Sequence, residues 1–95
     1  MRVRNQKDAV LNYIEKHGSI TAKDASDELG VTRLAARVSE INDILLAQPR
    51  CVRDYGWGQF EGKYLVADYE YVRNRYGQKV RIARYRFDVV YRYEA

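Results

Sequence analysis

Residues 18–44 constrain the fold more than any other part of the chain, because their pattern predicts two helices joined by a tight turn. Thr21 is a favourable N-cap, and Asp24 three residues later completes a capping-box pattern. Gly30 is expected to end the first helix, since glycine readily adopts the left-handed conformation that terminates many helices. Taken alone, such a pair of helices fits an ordinary αα-hairpin as well as more specialised folds.

The second helix of this pair presents two different faces. Thr32 is expected to cap it. One face is an apolar stripe at helical spacing, formed by Leu34, Val38, Ile41 and Leu45. The other face groups Arg33, Ala36, Arg37 and Glu40. A small alanine between two arginines allows close approach to a groove, and an arginine can fork onto a guanine edge or a phosphate. The pattern predicts a helix-turn-helix whose second helix enters the DNA major groove.

These side chains also have a structural alternative. Arg33 and Arg37 would then pair with Glu40 or a neighbouring acid one turn away, each pair contributing about 0.3–0.5 kcal/mol. Glu40 is either an acceptor for a cytosine amine or a plain surface acid. In a DNA complex, Ser19 and Thr21 near the start of the first helix would bond phosphates.

The second half of the chain has the composition of strands. Residues 64–73 and 79–93 are rich in tyrosine and branched apolar residues, and residues 74–78 between them supply the asparagine and glycine of a hairpin turn. Val80 and Ile82 occupy even-numbered positions, whereas Tyr85 and Phe87 occupy odd-numbered ones, so a bulge or a twist is expected near residues 83–84.

The predicted order of elements defines a fold class. One domain over residues 1–95 would hold helices at about 5–17, 22–29 and 32–46, a short extended segment at 19–20, and a long hairpin at about 64–93. This order is that of an α+β winged helix-turn-helix, in which the hairpin is the wing.

The positive charge of the chain is concentrated in the wing. The formal net charge is +4, and residues 73–86 contain basic side chains but no acid. Arg73, Arg75, Lys79 and Arg81 are therefore expected to lie along phosphates or in a narrow minor groove. The alternative is a solvated strand face whose charges prevent edge-to-edge aggregation.

The segment between the helices and the wing carries an aromatic loop. Pro49 is expected to end the third helix, and residues 51–53 to begin a strand. Tyr55, Trp57 and Phe60 then lie among three glycines. We expect Trp57 and Phe60 to fold back on the core. The alternative is that the three aromatics form a contact patch for a protein partner.

Tyrosine is abundant, with nine residues, most of them in the second half of the chain. Core packing and cross-strand pairing are expected for most of these rings. Stacking on nucleic-acid bases is the alternative for Tyr69, Tyr71, Tyr85, Tyr91 and Tyr93.

Two blocks of the sequence resemble small winged helix-turn-helix proteins of bacteriophages and prophages. The first covers residues 9–43 and includes Leu-Gly-Val-Thr-Arg-Leu-Ala-Ala-Arg-Val-Ser-Glu-Ile. The second covers the wing, residues 72–87. The resemblance implies a winged-helix fold and DNA binding. The chain departs from that pattern at residues 41–49 and in the Trp57 loop, which looks inserted before the wing.

Other function classes find little support in the residues. A single cysteine forms no intramolecular disulfide, no apolar leader or membrane-spanning run is expected, and the predicted location is the bacterial cytoplasm. His17 is expected to interact with a helix C-terminus. We find no pattern for a metal site, a phosphate-binding loop or a catalytic nucleophile. The expectation is a protein that is not an enzyme and has no cofactor, metal or small-molecule substrate.

Two functional hypotheses follow. The first is a double-stranded DNA-binding protein, encoded by a phage, that acts as a transcriptional regulator or as an architectural or recombination accessory. The alternative is a protein-binding winged helix that inhibits a host enzyme or an immune nuclease through the aromatic loop and the tyrosine-rich hairpin. Under either hypothesis a homodimer could form through residues 44–47 or the hairpin edge.

Overall fold

A computed structural model describes residues 3–90 of the chain. Its elements, in chain order, are α1 (Gln6–His17), β1 (Ile20–Thr21), α2 (Ala22–Leu29), α3 (Leu34–Leu45), α4 (Pro49–Asp54), a short 3-10 helix (Gly58–Phe60), β2 (Lys63–Arg73) and β3 (Lys79–Val89). Three helices, a short strand and a C-terminal hairpin confirm the predicted α+β winged helix-turn-helix. The last residues of the predicted wing, including Tyr91 and Tyr93, lie outside the described residues.

The first two helices are bounded by the expected local signals. Asn5 caps α1 by accepting a hydrogen bond from the backbone of Asp8 at 3.0 Å. Thr21 and Asp24 form a reciprocal capping box at the start of α2, with bonds of 3.0 and 3.2 Å. Gly30 ends α2 with φ of 65°, a left-handed conformation that favours glycine.

The start of α3 differs from the prediction. Thr32 does not cap the helix, because α3 begins at Leu34 and its N-cap residue is Arg33. Arg33 lies in the left-handed region, with φ of 55° and ψ of 53°, and its side chain makes no capping hydrogen bond. Its carbonyl instead accepts from the backbone of Ala36 and Arg37, at 3.0 and 3.2 Å. The turn is therefore closed by an arginine in a conformation that costs an L-residue free energy.

Residues 51–53 were expected to begin a strand, and that prediction is wrong. They lie in α4, which begins at Pro49. Proline is favourable at the first helical position, because its fixed φ suits a helix and its missing N–H would have no intrahelical partner. Val52 faces the core and is buried.

The aromatic loop folds back on the core, as expected, and Trp57 and Phe60 are buried. The alternative of a contact patch is therefore wrong for these two residues. Trp57 donates its indole N–H to Asp8 at 2.7 Å, and Phe60 stacks on Phe87 with ring centroids 5.2 Å apart. Tyr55 stays at the surface, with its ring 4.6 Å from that of Trp57.

The strands form one antiparallel sheet in the order β1-β3-β2. The register of β2 and β3 runs without interruption from the pair Lys63–Val89 to the pair Arg73–Lys79. The bulge expected near residues 83–84 is therefore absent from this ladder. Val80 and Ile82 lie on the opposite face from Phe87 because side chains alternate along an uninterrupted strand, and both residues belong to the distal part of the hairpin. There neither face is fully buried.

Candidate nucleic-acid interface

The apolar stripe of α3 packs inward as predicted, and Leu34, Val38, Ile41 and Leu45 are all buried. The solvent-facing side of the helix carries short side chains and no cation. Ala35, Ser39 and Asp43 are exposed on it, with Ala36 half-buried beside them. An exposed cation, Arg33, stands at the N-terminal end of α3 as its N-cap residue.

Arg37 and Glu40 do not lie on this open side. The Arg37 guanidinium donates to Glu40 at 2.7 Å and to Gln6 on α1 at 3.4 Å. Lys7 on α1 adds an ion pair to Glu40 at 3.5 Å. The Arg37 side chain is 30% exposed, and its Nε is buried without a hydrogen-bond partner. This is the structural alternative expected for Arg37, and it holds α3 against α1.

Ser19 and Thr21, the expected phosphate ligands of the first turn, already have partners inside the protein. The Thr21 hydroxyl accepts from the backbone of Asp24, and the residue is buried. The Ser19 hydroxyl accepts from Arg84 at 3.2 Å. Both hydroxyl oxygens accept a hydrogen bond inside the protein, and phosphate binding through their O–H groups stays a prediction.

Asn42 sets the position of α3 relative to the wing. Its side-chain amide accepts from the backbone N–H of Leu65 and donates to the backbone carbonyl of the same residue, both at 2.8 Å. In an antiparallel ladder the N–H and C=O of one residue point to the same edge. Asn42 therefore covers the outer edge of β2 at Leu65, and the helix and the hairpin are joined there.

The basic run of the wing separates into two sets. Arg84 pairs with Glu70 at 3.2 Å, and Arg86 pairs with Asp68 at 2.6 Å. Hydrogen bonding to Asp68, with its negative charge, raises the pKa of Arg86. These acids are on β2. Residues 73–86 contain no acid themselves, but strand pairing places acids of β2 beside Arg84 and Arg86.

The second set of wing cations lies further out. Arg73, Arg75, Lys79 and Arg81 form no ion pair within residues 3–90, and all four are exposed. Arg73 bonds the carbonyl of Gly77 across the turn at 2.9 Å. The distal wing is therefore a cationic surface that is not neutralised by the described part of the chain.

The two faces of the distal hairpin differ in chemistry. Directly paired residues point to the same face, and faces alternate along each strand. The pairs Tyr71–Arg81 and Arg73–Lys79 are on the face that, nearer the body, packs Leu65 and Phe87 onto the helices. The pair Val72–Val80 is on the other face. The cationic face is therefore on the same side of the sheet as the helices.

A groove separates the wing from the paired helices. It has a volume of about 560 Å³ and is lined by the first turns of α2 and α3 and by residues 81–85 of β3. Ala35 and Arg81 face it from opposite sides. A ligand seated against the N-terminal end of α3 would thus meet Arg81 of the wing as well.

Comparison with known proteins agrees with the fold. Residues 5–43 match the family model of a winged helix-turn-helix domain. No curated protein and no solved structure gives a significant match to the chain. The match covers α1 to the last turns of α3 and supports a DNA-binding role in general. Among residues 3–90, no helix has the length and apolar character needed to cross a membrane.

Proposed function

We propose that the chain binds double-stranded DNA, with the N-terminal end of α3 in the major groove and the wing along the backbone. The observation that carries the proposal is the distribution of cations. Arg37, Arg84 and Arg86 are paired with acids inside the protein. The cations without an ion pair in residues 3–90 include Arg33, at the start of α3, and four residues of the distal wing, Arg73, Arg75, Lys79 and Arg81.

Arg33 is the proposed base-reading residue of α3. In helix-turn-helix proteins the N-terminal residues of the recognition helix contact base edges. Arg33 occupies this position, and Thr32 is exposed beside it. Ala35, Ala36 and Ser39 continue the same side with small side chains, which lets the helix backbone come close to the floor of the groove. Asp43, further along, would repel phosphates, so the helix enters by its N-terminal end.

The wing supplies most of the sequence-independent affinity in this proposal. Each cation that neutralises a phosphate releases counterions, so binding weakens as salt rises. Four wing cations on phosphates predict a log–log slope of roughly −3.6, at about −0.9 per phosphate contact. One arginine on α3 contacts few bases, so the DNA sequence that the protein prefers is expected to be short.

In this proposal, duplex binding serves the regulation of transcription, or DNA architecture and recombination. Both roles use duplex binding by the same surface. A homodimer would place two α3 helices on a twofold site, with half-sites spaced by about one helical turn, roughly 34 Å. Sedimentation of the protein with and without a duplex measures this stoichiometry.

The test is fluorescence-polarisation binding to a blunt duplex across a salt series. We expect binding at low salt with the slope given above, and a shallower slope for the Lys79→Ala and Arg81→Ala variants. Lys16→Ala is the matched control. Lys16 is also exposed and without an ion pair among the described residues, but it lies in the last turn of α1. If the control weakens binding as much as the wing variants do, the wing is not the binding surface. If the wild-type protein does not bind at low salt, the proposed function is wrong.

The protein-inhibitor hypothesis rested on two features, the aromatic loop and the tyrosine-rich hairpin, and the first of them is buried at Trp57 and Phe60. Trp57 and Phe60, which motivated it, belong to the core. The exposed wing tyrosines remain, and their arrangement favours a nucleic-acid ligand for the reasons given below.

A further inference from the structure

Two tyrosine rings of the distal wing stand open on its cationic face. Tyr69 is 57% exposed and Tyr71 is 62% exposed. The guanidinium of Arg81 lies 4.5 Å from the ring centre of Tyr69, and the ammonium of Lys79 lies 4.8 Å from that of Tyr71. We call this set the tyrosine–cation face: Tyr69, Tyr71, Arg73, Lys79 and Arg81.

Contact with duplex phosphates does not require these rings. Phosphates are bound by cations and by hydrogen-bond donors, among them the tyrosine hydroxyl, and such a contact uses the hydroxyl and not the face of the ring. Large exposed aromatic surface in a projecting hairpin is a liability for aggregation. Nearer the body, Tyr85 and Phe87 are on the same face, but they pack against the core. Tyr69 and Tyr71 continue this row of aromatics into solvent.

The spacing of the rings suits a nucleobase. Alternate residues of a strand lie about 6.6–6.8 Å apart. This distance is about twice the ~3.4 Å between stacked bases of one strand, so the two tyrosines are anchored far enough apart to admit one base between their rings. The neighbouring Arg81 and Lys79 are spaced in the same way along β3. A nucleotide stacked on a ring would therefore have a cation beside it for its phosphate.

The opposite face of the same hairpin provides an internal contrast. Its distal part is formed by Val72, Val80 and Ile82, and the cations that follow on it, Arg84 and Arg86, are neutralised by Glu70 and Asp68. Within the distal hairpin, aromatic rings beside cations that form no ion pair among residues 3–90 thus occur on one face only, the face on the side of the helices. The positive charge of this face favours a polyanion, and its exposed tyrosine rings favour one whose bases are accessible for stacking.

We propose that the tyrosine–cation face binds unpaired nucleotides of single-stranded DNA. The preferred ligand is then a duplex with a single-stranded flank, whose duplex part contacts α3 and the wing cations and whose first unpaired nucleotides stack on Tyr69 and Tyr71. This preference rests on the proposed duplex binding, whereas single-strand binding by the wing does not. Stacking on aromatic side chains tolerates any base, so the flank is bound with little sequence preference.

The experiment compares three labelled probes: a blunt duplex, the same duplex with an oligo(dT) tail, and oligo(dT) alone. We expect the tail to tighten binding on the order of tenfold, as stacking of one or two bases would. The double variant Tyr69→Leu/Tyr71→Leu should lose this gain and still bind the blunt duplex. Tyr69→Phe/Tyr71→Phe should keep it, because the rings remain. Tyr76→Leu, an exposed tyrosine at the turn of the hairpin, is the matched control and should keep the gain.

The outcomes separate the two proposals. Equal affinity for tailed and blunt duplexes overturns the inference and leaves duplex binding in place. Equal weakening of both probes in the leucine variant also overturns it, because the rings would then serve only the structure of the wing. Binding of oligo(dT) without binding of the blunt duplex supports the inference and overturns the proposed function. Failure of all three probes to bind overturns both.

Discussion

The indole N–H of Trp57 donates a hydrogen bond of 2.7 Å to Oδ1 of Asp8, 49 residues earlier in the chain. Asp8 is fully buried, and its other carboxylate oxygen accepts from the backbone and the guanidinium of Arg4, at 3.0 and 3.1 Å. Arg4 also donates to the carbonyl of Tyr55 at 2.6 Å. The segment between α3 and the wing is thereby fixed to the N-terminal turn of α1.

This network makes stability depend on pH in the acid range. Burial alone would raise the pKa of Asp8, but the hydrogen bonds from Trp57 and Arg4 outweigh it, and the pKa is lowered from its ordinary 3.8. The ionised carboxylate therefore stabilises the folded state above about pH 4, and this contribution is lost as the pH falls through the folded-state pKa. We expect Asp8→Asn to lower the free energy of unfolding by about 2 kcal/mol at pH 7.

Urea unfolding followed by tryptophan fluorescence measures this prediction, since Trp57 is the only tryptophan in the chain. The difference between wild type and Asp8→Asn should shrink between pH 7 and pH 3. Asp27→Asn is the control, because Asp27 is exposed and its ion pair with Lys23 spans 3.9 Å. It should change stability by less than about 0.5 kcal/mol. A difference for Asp8→Asn that grows on acidification would contradict the assigned pKa direction.

Asn42→Ala tests the hydrogen-bonded contact between α3 and the wing. The substitution leaves the backbone N–H and C=O of the buried Leu65 without their partner. We expect a loss of about 2 kcal/mol in the free energy of unfolding, the usual cost of unsatisfied buried groups. Ser39→Ala, at an exposed position of the same helix, should be nearly neutral. An unchanged denaturant midpoint for Asn42→Ala would show that water replaces the amide at this edge.

Arg33→Gly separates the conformational role of Arg33 from its charge. Glycine adopts the left-handed conformation without a steric penalty, so we expect stability to rise by about 0.5–1 kcal/mol after the entropic cost of glycine. Arg33→Ala removes the same charge and keeps the strain, so it should not be stabilised. Thermal unfolding by circular dichroism gives the comparison. Both variants should lose DNA affinity to a similar extent, and a difference between them in affinity would mean that the turn conformation itself matters for binding.

Local signals were sufficient to predict much of this fold. Thr21, Asp24 and Gly30 act within a few residues of their own positions, so the bounds of α2 follow from the sequence. The strands follow from composition, and the alternation of side chains in them follows from the geometry of a strand. Pro49 was ambiguous, because a proline can follow one helix or begin the next, and only the burial of Val52 favours the second.

The candidate site was less predictable because it depends on packing between distant elements. A helical projection groups Arg33 with Arg37, but the position of α1 decides that Arg37 turns towards Gln6 and Glu40. The neutralisation of Arg84 and Arg86 requires the strand register, which places Glu70 and Asp68 diagonally opposite them. The partner of Trp57 lies on α1, and no local pattern connects the two.

Arg37→Ala and Arg33→Ala together test which arginine reads DNA. Since Arg37 is held by Glu40 and Gln6, its removal should cost about 0.5–1 kcal/mol of stability and change affinity for a duplex by less than about twofold. Arg33→Ala should weaken binding to a selected site by about 1–3 kcal/mol and relax its sequence preference. Polarisation binding to the selected site and to a scrambled duplex measures both effects. If Arg37→Ala abolishes the preference while Arg33→Ala retains it, Arg37 must leave Glu40 on binding DNA, and the open side of α3 then includes the face on which Arg37 lies.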